Sequence, residues 1–327
     1  MKILLTGGAG YIGSTIANAC VDQGIEPIIL DDFSKGRRDW AGKHVFFEGD
    51  VADGDLIDSI FAAHPDISAV IHCAAKIVVP ESVEQPVDYY ANNVGKGISM
   101  LQHLRRNGCE RVIFSSSASI YSVSADFTVD ENSPINPTSP YANSKAIFES
   151  VLRDGAAAGE FRAIALRYFN PIGADPQLRT GLQDPLPSHV LGKLVTAART
   201  GVPFTITGMD WPTRDGSGIR DFIHVWDLAL AHVAALKRFD EVATPSAPYA
   251  VLNIGTGLGT TVKEFTDMFI EVSGSDLEVL VGPARPGDAA GAYTTSDRAP
   301  QALGWTPQLT IEDGIRDSLR WAEKFAG

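Results

Sequence analysis

Tyr141 and Lys145 stand four residues apart in the stretch Tyr-Ala-Asn-Ser-Lys, a spacing that puts two side chains on one face of a helix, one turn apart. A phenol of ordinary pKa, about 10, is too weakly ionised to take a proton at neutral pH. Positive charge beside it favours the phenolate, so the pair reads as a general base with an ammonium against it. Tyr-x-x-x-Lys alone is common by chance, and its plain reading is a half-buried tyrosine next to a solvated lysine. Ser117 adds a third group, at the end of the strand-like run RVIFSSS, where the carboxyl edge of a parallel sheet presents ligand-binding groups. Its hydroxyl can bridge a substrate hydroxyl and Tyr141. Ser115 and Ser116 compete for that role, and some of the run must serve only to satisfy backbone at the strand end.

The elements that position these groups are legible. Ser139 suits a helix N-cap and Pro140 the first helical position, which predicts a helix opening at Tyr141; another is expected from about Pro86 to Arg106. Short apolar runs (KILLT, PIILDD, HVFFEGD, AVIHCAA, RVIFSSS) alternate with helix-length segments, which predicts an α/β fold with a Rossmann-type, doubly wound parallel sheet. TGGAGYIGS follows the first of these runs directly. Gly7, Gly10 and Gly13 allow a tight turn, close backbone approach to a pyrophosphate and close packing of helix on strand, while Tyr11 and Ile12 open a helix whose amino end faces the negative charge. PIILDD ends in Asp31, placed to accept hydrogen bonds from an adenosine ribose and to repel a ribose phosphate. That favours NAD over NADP despite Lys35, Arg37 and Arg38 just downstream. The competing reading is that Asp31 or Asp32 caps the next turn.

The chain has 327 residues, with 27 Lys and Arg against 40 Asp and Glu, a formal net charge of -13. Such acidity argues against nucleic-acid binding, which needs clustered cations. Three scattered cysteines, Cys20, Cys73 and Cys109, make neither a disulfide framework nor a zinc site, and no metal is expected. Met1 runs straight into KILLT, and no uninterrupted apolar stretch reaches the roughly 20 residues of a membrane span, so a cytoplasmic protein is expected. After RAIALRYFNPIGA the texture turns rich in proline and glycine. The expected organisation is a dinucleotide-binding unit over 1–173, to which 221–257 partly returns, and a smaller, mainly substrate-binding α/β part over 174–327.

With these residues the sequence resembles the extended short-chain dehydrogenase/reductase superfamily and, within it, the UDP-galactose 4-epimerase family. The likeness runs almost end to end through TGGAGYIGS, ILDD, HCAA, ESVEQPVDYYANNV, FSSSASIY, SPYANSK, LRYFNPIGA, DGSGIRDFIHVWDLA, NIGTG, RPGD and LGWTP. The resemblance implies that Asp50 and Val51 border an adenine, that Cys73, Ala74 and Ala75 line the pyrophosphate side, and that Asn92 hydrogen-bonds near the cofactor. Tyr168 would join the cofactor site and Phe169 and Asn170 lead into the sugar site. His189 and Val190 would meet the substrate, with Ser188 and His189 standing where the family often has two asparagines. Arg220, Arg285 and Asp288 would hold the UDP part, since a diphosphate in an acidic protein needs guanidinium donors. A homodimer joined through the helices near 86–106 and 141–158 is also implied.

The implied reaction is inversion at carbon 4 of a UDP-hexose through a 4-keto sugar with permanently held NAD. Rival readings are a nucleotide-sugar 4,6-dehydratase, a UDP-uronate epimerase or decarboxylase, and a dinucleotide-binding sensor without chemistry. The dehydratase is disfavoured because Ala118, Ser119 and Ile120 follow Ser117 where that group has an Asp-Glu pair, and the sensor because both Tyr141 and Lys145 are present. Two departures bear on the ligand. Ile77, preceded by Lys76, occupies the position of a pyrophosphate-contacting lysine, and the position that gates the sugar 2-substituent falls on Ala292, next to Tyr293. A small residue there predicts that UDP-N-acetylhexosamines are accepted too.

Overall fold

The computed structural model describes every residue except 185, 186, 188, 285–289 and 327, so Ser188, Arg285 and Asp288 lie outside the described residues. The apolar runs form strands β1 (Lys2–Thr6), β2 (Glu26–Asp31), β3 (Val45–Glu48), β4 (Ile67–His72), β5 (Arg111–Ser117), β6 (Thr128–Val129), β7 (Arg162–Tyr168), β8 (Asn170–Ile172), β9 (Phe204–Thr207), β10 (Ile219–His224), β11 (Tyr249–Ile254), β12 (Gly259–Thr261), β13 (Val279–Gly282) and β14 (Tyr293–Thr294). Seven of them build one parallel sheet in the order β11-β7-β5-β4-β1-β2-β3. The order reverses at β1, which opens a crevice beyond the carboxyl ends of β1 and β4.

Both faces of this sheet are covered. Ile3 and Leu5 of β1 join Ile16, Ala17 and Leu228 in one core, whereas Leu4 joins Ile28, Ile57, Met100 and Phe148 in the other. Burial on both sides explains why these strands read as continuous apolar runs instead of alternating ones. Each fully buried Leu or Ile contributes about 2 kcal/mol.

The helix bearing Tyr141 and Lys145 spans Pro140–Ala157 and begins as expected: Ser139 Oγ accepts from the Ala142 N–H at 3.2 Å, and Pro140 occupies the first turn. The stretch expected as one helix near Pro86 to Arg106 is instead three pieces, Pro86–Tyr90, a π-helical turn over Ala91–Lys96, and Gly97–Arg106. The wide turn carries Asn93 inward. There its amide oxygen accepts from the Lys76 N–H at 2.8 Å and its nitrogen donates to Lys76 O and Ser144 Oγ, both at 3.0 Å. A long-range tie of this kind overrides the local preference for an α-helix, and π-turns occur often at functional sites.

Beyond the large sheet, β8, β10 and β12 form a three-stranded sheet, β9 pairs with β13, and β6 pairs with β14. A third core of Leu191, Leu194, Phe204, Phe222, Phe265, Phe269 and Ile315 joins the three-stranded sheet to the β9–β13 pair. Of the segment 221–257, the helix Val225–Lys237 packs on the helix Tyr11–Asp22 and β11 extends the large sheet, whereas residues 221–224 of β10 pair within the small sheet. A further return comes later in the chain: Ala299, Leu303 and Trp305 bury in the first core beside Ile254.

Candidate active site

The crevice at the switch in strand order is floored by the glycine turn. Gly7 has φ +70°, and a side chain there would place Cβ 2.6 Å from Ala74 N; one at Gly13 would lie 2.1 Å from Gly7 O. Those two glycines are required by the fold. Gly10 is different, since an added Cβ would meet nothing nearer than Gly7 O at 3.4 Å. Gly10 also stands at the N-cap of the Tyr11–Asp22 helix without a side-chain cap, and no acidic residue stands in its first turn. First-turn N–H groups have no acceptor inside a helix, so those of Tyr11, Ile12 and Gly13 present an anion cradle with open room over Gly10. The residues present therefore fit the pyrophosphate of a dinucleotide.

Asp31 is buried, its two oxygens accepting from the Ala9 N–H at 2.9 Å and the Phe33 N–H at 2.8 Å. Burial raises its pKa while those backbone bonds oppose the rise. The residue thus caps its turn and ties it to the glycine loop. Each carboxylate oxygen retains acceptor capacity for a ribose hydroxyl. Asp32 is exposed and accepts from Ser34 N–H and Oγ at 2.9 and 2.6 Å, a local turn cap. Asp50 accepts from the Ala52 N–H at 2.9 Å and pairs with Lys96, with Val51 buried beside it. Cys73, Ala74 and Ala75 run half-buried from the end of β4. Asn92 donates to Asn93 Oδ1 at 3.0 Å, and Lys76 points to Glu81 at 4.0 Å.

Ser117, Tyr141, Lys145 and Tyr168 are all buried at the carboxyl edges of β5 and β7. Burial pushes the Tyr141 phenol above its ordinary value, and the Ser117 hydroxyl partly pulls it back. Tyr168 lies beside Tyr141 and Cys73 and is pushed far up, mainly by burial. The expected contact of ammonium with phenol does not form. Lys145 Nζ instead donates to Ser115 O at 2.8 Å and stands 4.7 Å from the centre of the Phe114 ring. Its burial lowers its pKa from 10.5 to about 8, against the pull of Cys73 and Glu149. A buried ammonium takes the nearest strong acceptor, here a strand carbonyl. Two of the three Nζ donors remain for a ligand.

On the substrate side, Phe169 packs with Tyr121 and Val129, against which Ala118 and Ala292 also lie. Tyr293 faces the other way, into a cluster with Phe127, Ile219 and Ala290. Asn170 pairs with Phe222 across the small sheet, and Val190 packs against the third core. Arg220 donates to Ile219 O and Ala290 O at 2.7 and 2.5 Å, fixing the chain just before Ala292. The His189 side chain is partly a helix cap: Nδ1 accepts from the Gly192 N–H at 3.2 Å, and burial brings its pKa down to about 4. The other ring nitrogen, Nε2, is buried and unpartnered at a cavity of about 430 Å³ lined also by Tyr11, Leu191, Val195, Trp321 and Phe325. That cavity lies apart from Ser117, Tyr141 and Lys145. Among the described residues, no group of His, Cys, Asp and Glu is placed to hold a metal, and no helix is long and apolar enough to cross a membrane.

Sequence reasoning missed the polar layer beneath the reacting groups. Arg167 and Glu149 form a buried bidentate pair, with contacts at 2.6 and 3.0 Å, that also takes Ser116 Oγ and Tyr121 OH. Glu149 lies one helical turn beyond Lys145 on the same face, and that spacing was a legible signal. Ser115 Oγ contacts Cys73 Sγ and His232 Nε2, a junction that no local pattern announces.

The chain is similar to known proteins over nearly its whole length. The model of the NAD dependent epimerase/dehydratase family matches residues 3–255. The chain is 40% identical to a UDP-glucose 4-epimerase of Azospirillum brasilense over 98% of its own length and 91% of the relative's. A UDP-glucose-4-epimerase from Stenotrophomonas maltophila, solved with bound NAD and formylated UDP-arabinopyranose, superposes with a TM-score of 0.94 at 32% identity, covering 100% of this chain and 99% of that one. The UDP-Glc/GlcNAc 4-epimerase of Campylobacter jejuni gives a TM-score of 0.82 at 35% identity, covering 99% of each chain. With a glycine cradle, a buried Ser-Tyr-Lys cluster and a family match over most of its length, this chain belongs to the NAD dependent epimerase/dehydratase family.

Proposed function

We propose that this chain interconverts UDP-hexoses that differ at carbon 4, with NAD as a held cofactor. The observation that carries this reading is the placement of Ser117, Tyr141 and Lys145 in one buried cluster at the sheet edge that also bears the glycine cradle. When bound, NAD supplies the acceptor and donor of hydride at carbon 4 and a positively charged ring. Ser117 orients the 4-hydroxyl toward Tyr141, which takes its proton as the 4-keto sugar forms and returns it when the alcohol is restored. Lys145 turns its two unused donors to the ligand from its seat on Ser115 O. Firm hold on UDP falls to Arg220, Arg285 and Asp288, while Phe169 and Asn170 lead into the sugar site and His189 and Val190 meet the substrate. Asp31, Asp50, Val51, Cys73, Ala74, Ala75 and Asn92 hold the dinucleotide. Ala118–Ile120 form a single 3₁₀ turn without a carboxylate, which speaks against elimination of water. The test is incubation with UDP-glucose without added NAD and chromatography for UDP-galactose. Tyr141→Phe should lose on the order of 10²–10⁴ in turnover; no interconversion by the wild type, or full activity in the variant, overturns the reading.

UDP-N-acetylhexosamines are the second substrate class we propose. Support comes from Ala292 beside Phe169 and Ala118, a small residue on the side opposite Tyr293. Turnover of UDP-glucose with none of UDP-N-acetylglucosamine defeats this. A homodimer is favoured by Val83 and Val87, exposed by 62% and 75%, and by Ile98 and Ile147 on the neighbouring helices. Val87→Glu should convert the dimer to monomer in sedimentation analysis, and a wild type that sediments as a monomer refutes it. The thiols of Cys20, Cys73 and Cys109 are free and pushed up by burial, as suits a reducing cytoplasm.

A further inference from the structure

On the carboxyl-terminal side of β5 the ladder to β4 stops at His72 paired with Phe114, whereas the ladder to β7 continues to Ser117 paired with Tyr168. Ser115 is therefore held by strand pairing on one side only, and its carbonyl is the one that Lys145 Nζ occupies at 2.8 Å. The Ser115 side chain supplies the missing restraint. His232 Nδ1 lies 2.9 Å from Leu228 O, which can only accept, so this nitrogen carries the ring proton. His232 Nε2 is then an acceptor, and Ser115 Oγ donates to it over 2.8 Å. With its proton directed there, Ser115 Oγ accepts from Cys73 Sγ at 3.1 Å. His232 is fully buried and its ring stays neutral through the working range, its pKa brought down to about 4 by burial.

We propose that His232 is a positioning residue for Lys145, acting through Ser115: from the helix on one face of the sheet it fixes the strand carbonyl that seats the ammonium on the other. This rests on the role given to Lys145 above. The titratable groups around that ammonium are Cys73 just after β4, Glu149 on its own helix, and His72 on β4. None of them replaces the Ser115 carbonyl as hydrogen-bond acceptor. When Ser115 is free to shift, the ammonium loses its fixed acceptor and gives up its proton at lower pH.

The test compares full-length wild type with His232→Leu, His232→Gln and Ser115→Ala, measuring kcat and KM for UDP-glucose against pH and the titration midpoint of Lys145 by NMR of its labelled ε-carbon. His232→Leu and Ser115→Ala should lower kcat on the order of 10–100-fold. KM should hold within about twofold, as for loss of an interaction made only in the transition state. The alkaline limb of kcat and the Lys145 midpoint should both move to lower pH. His232→Gln, whose amide oxygen can accept from Ser115, should recover most of both, and the Leu/Ala double variant should be no worse than either single one. A folded His232→Leu with the wild-type midpoint overturns the proposal, as does equal loss in Leu and Gln variants without any midpoint shift. Should His232→Leu not fold, an unshifted midpoint in Ser115→Ala decides against it in the same way. Full activity in Tyr141→Phe would instead break the underlying reaction, while the NMR midpoint still judges the positioning by itself.

Discussion

Replacing Lys145 by methionine should abolish turnover yet make the protein stripped of NAD more stable. Lys145 is 2% exposed, so water screens its charge little. A fall in pKa from 10.5 to about 8 amounts to about 3 kcal/mol against the charged form. Methionine fills a similar volume without the charge. It gives up the hydrogen bond to Ser115 O, a loss of about 1 kcal/mol, which leaves a net gain of about 2 kcal/mol. The pH dependence gives the signature. Below about pH 8 both folded and unfolded wild type carry the ammonium, and the penalty is full. Between about 8 and 10.5 the folded chain releases the proton first, the unfolded chain binds more protons, and wild-type stability rises with pH. The advantage of the variant should therefore shrink across that window. Urea unfolding of both proteins at about pH 7.5 and 9.5 measures it. A variant less stable than wild type at the lower pH, or a gain of equal size at both, refutes the reasoning.

Gly10→Ala should leave urea stability within about 0.5 kcal/mol of wild type, because the new methyl meets nothing closer than 3.4 Å, but should reduce NAD retained through gel filtration; unchanged retention counts against the cradle. Ala292→Tyr should lower the ratio of kcat/KM for UDP-N-acetylglucosamine to that for UDP-glucose on the order of 10–200-fold, and an unaltered ratio removes Ala292 from substrate selection. Arg167→Met leaves the Glu149 carboxylate buried without its partner, both side chains being 5% exposed, and should destabilise by about 3–5 kcal/mol in urea. A loss under about 1 kcal/mol would mean that water reaches Glu149.

What the sequence made legible was local or periodic. Ser139 and Pro140 announce the helix start because an N-cap and a first-turn proline act within one turn. The glycine spacing announces the crevice because each glycine answers a steric demand inside the same turn. The π-turn at Ala91–Lys96 was not legible, since its cause is Asn93 reaching to Lys76 and Ser144, far along the chain. Lys145 was placed on the right face of the right helix, but its direction depends on where the β4 and β5 ladder ends. His189 reads as a ligand by position and serves also as a helix cap by geometry. The bounds of the partial return to the large sheet were not legible, because β10 and the helix Arg298–Leu303 differ in pairing and packing, not in composition.

That repeated return has a consequence for how the molecule can be taken apart. A gene cut after residue 173 would encode the glycine turn and the tyrosine helix yet lack β11, the helix Val225–Lys237 and the Ala299–Trp305 segment. β7 would become an open edge strand, and Ile16, Ala17 and Ala19 would lose their covering apolar layer. Such a fragment would be driven to aggregate by its bare edge and face. The cofactor-binding half is thus a topological region and not a separable module, and any recombination of substrate preference must be made by exchanging loops within an intact chain.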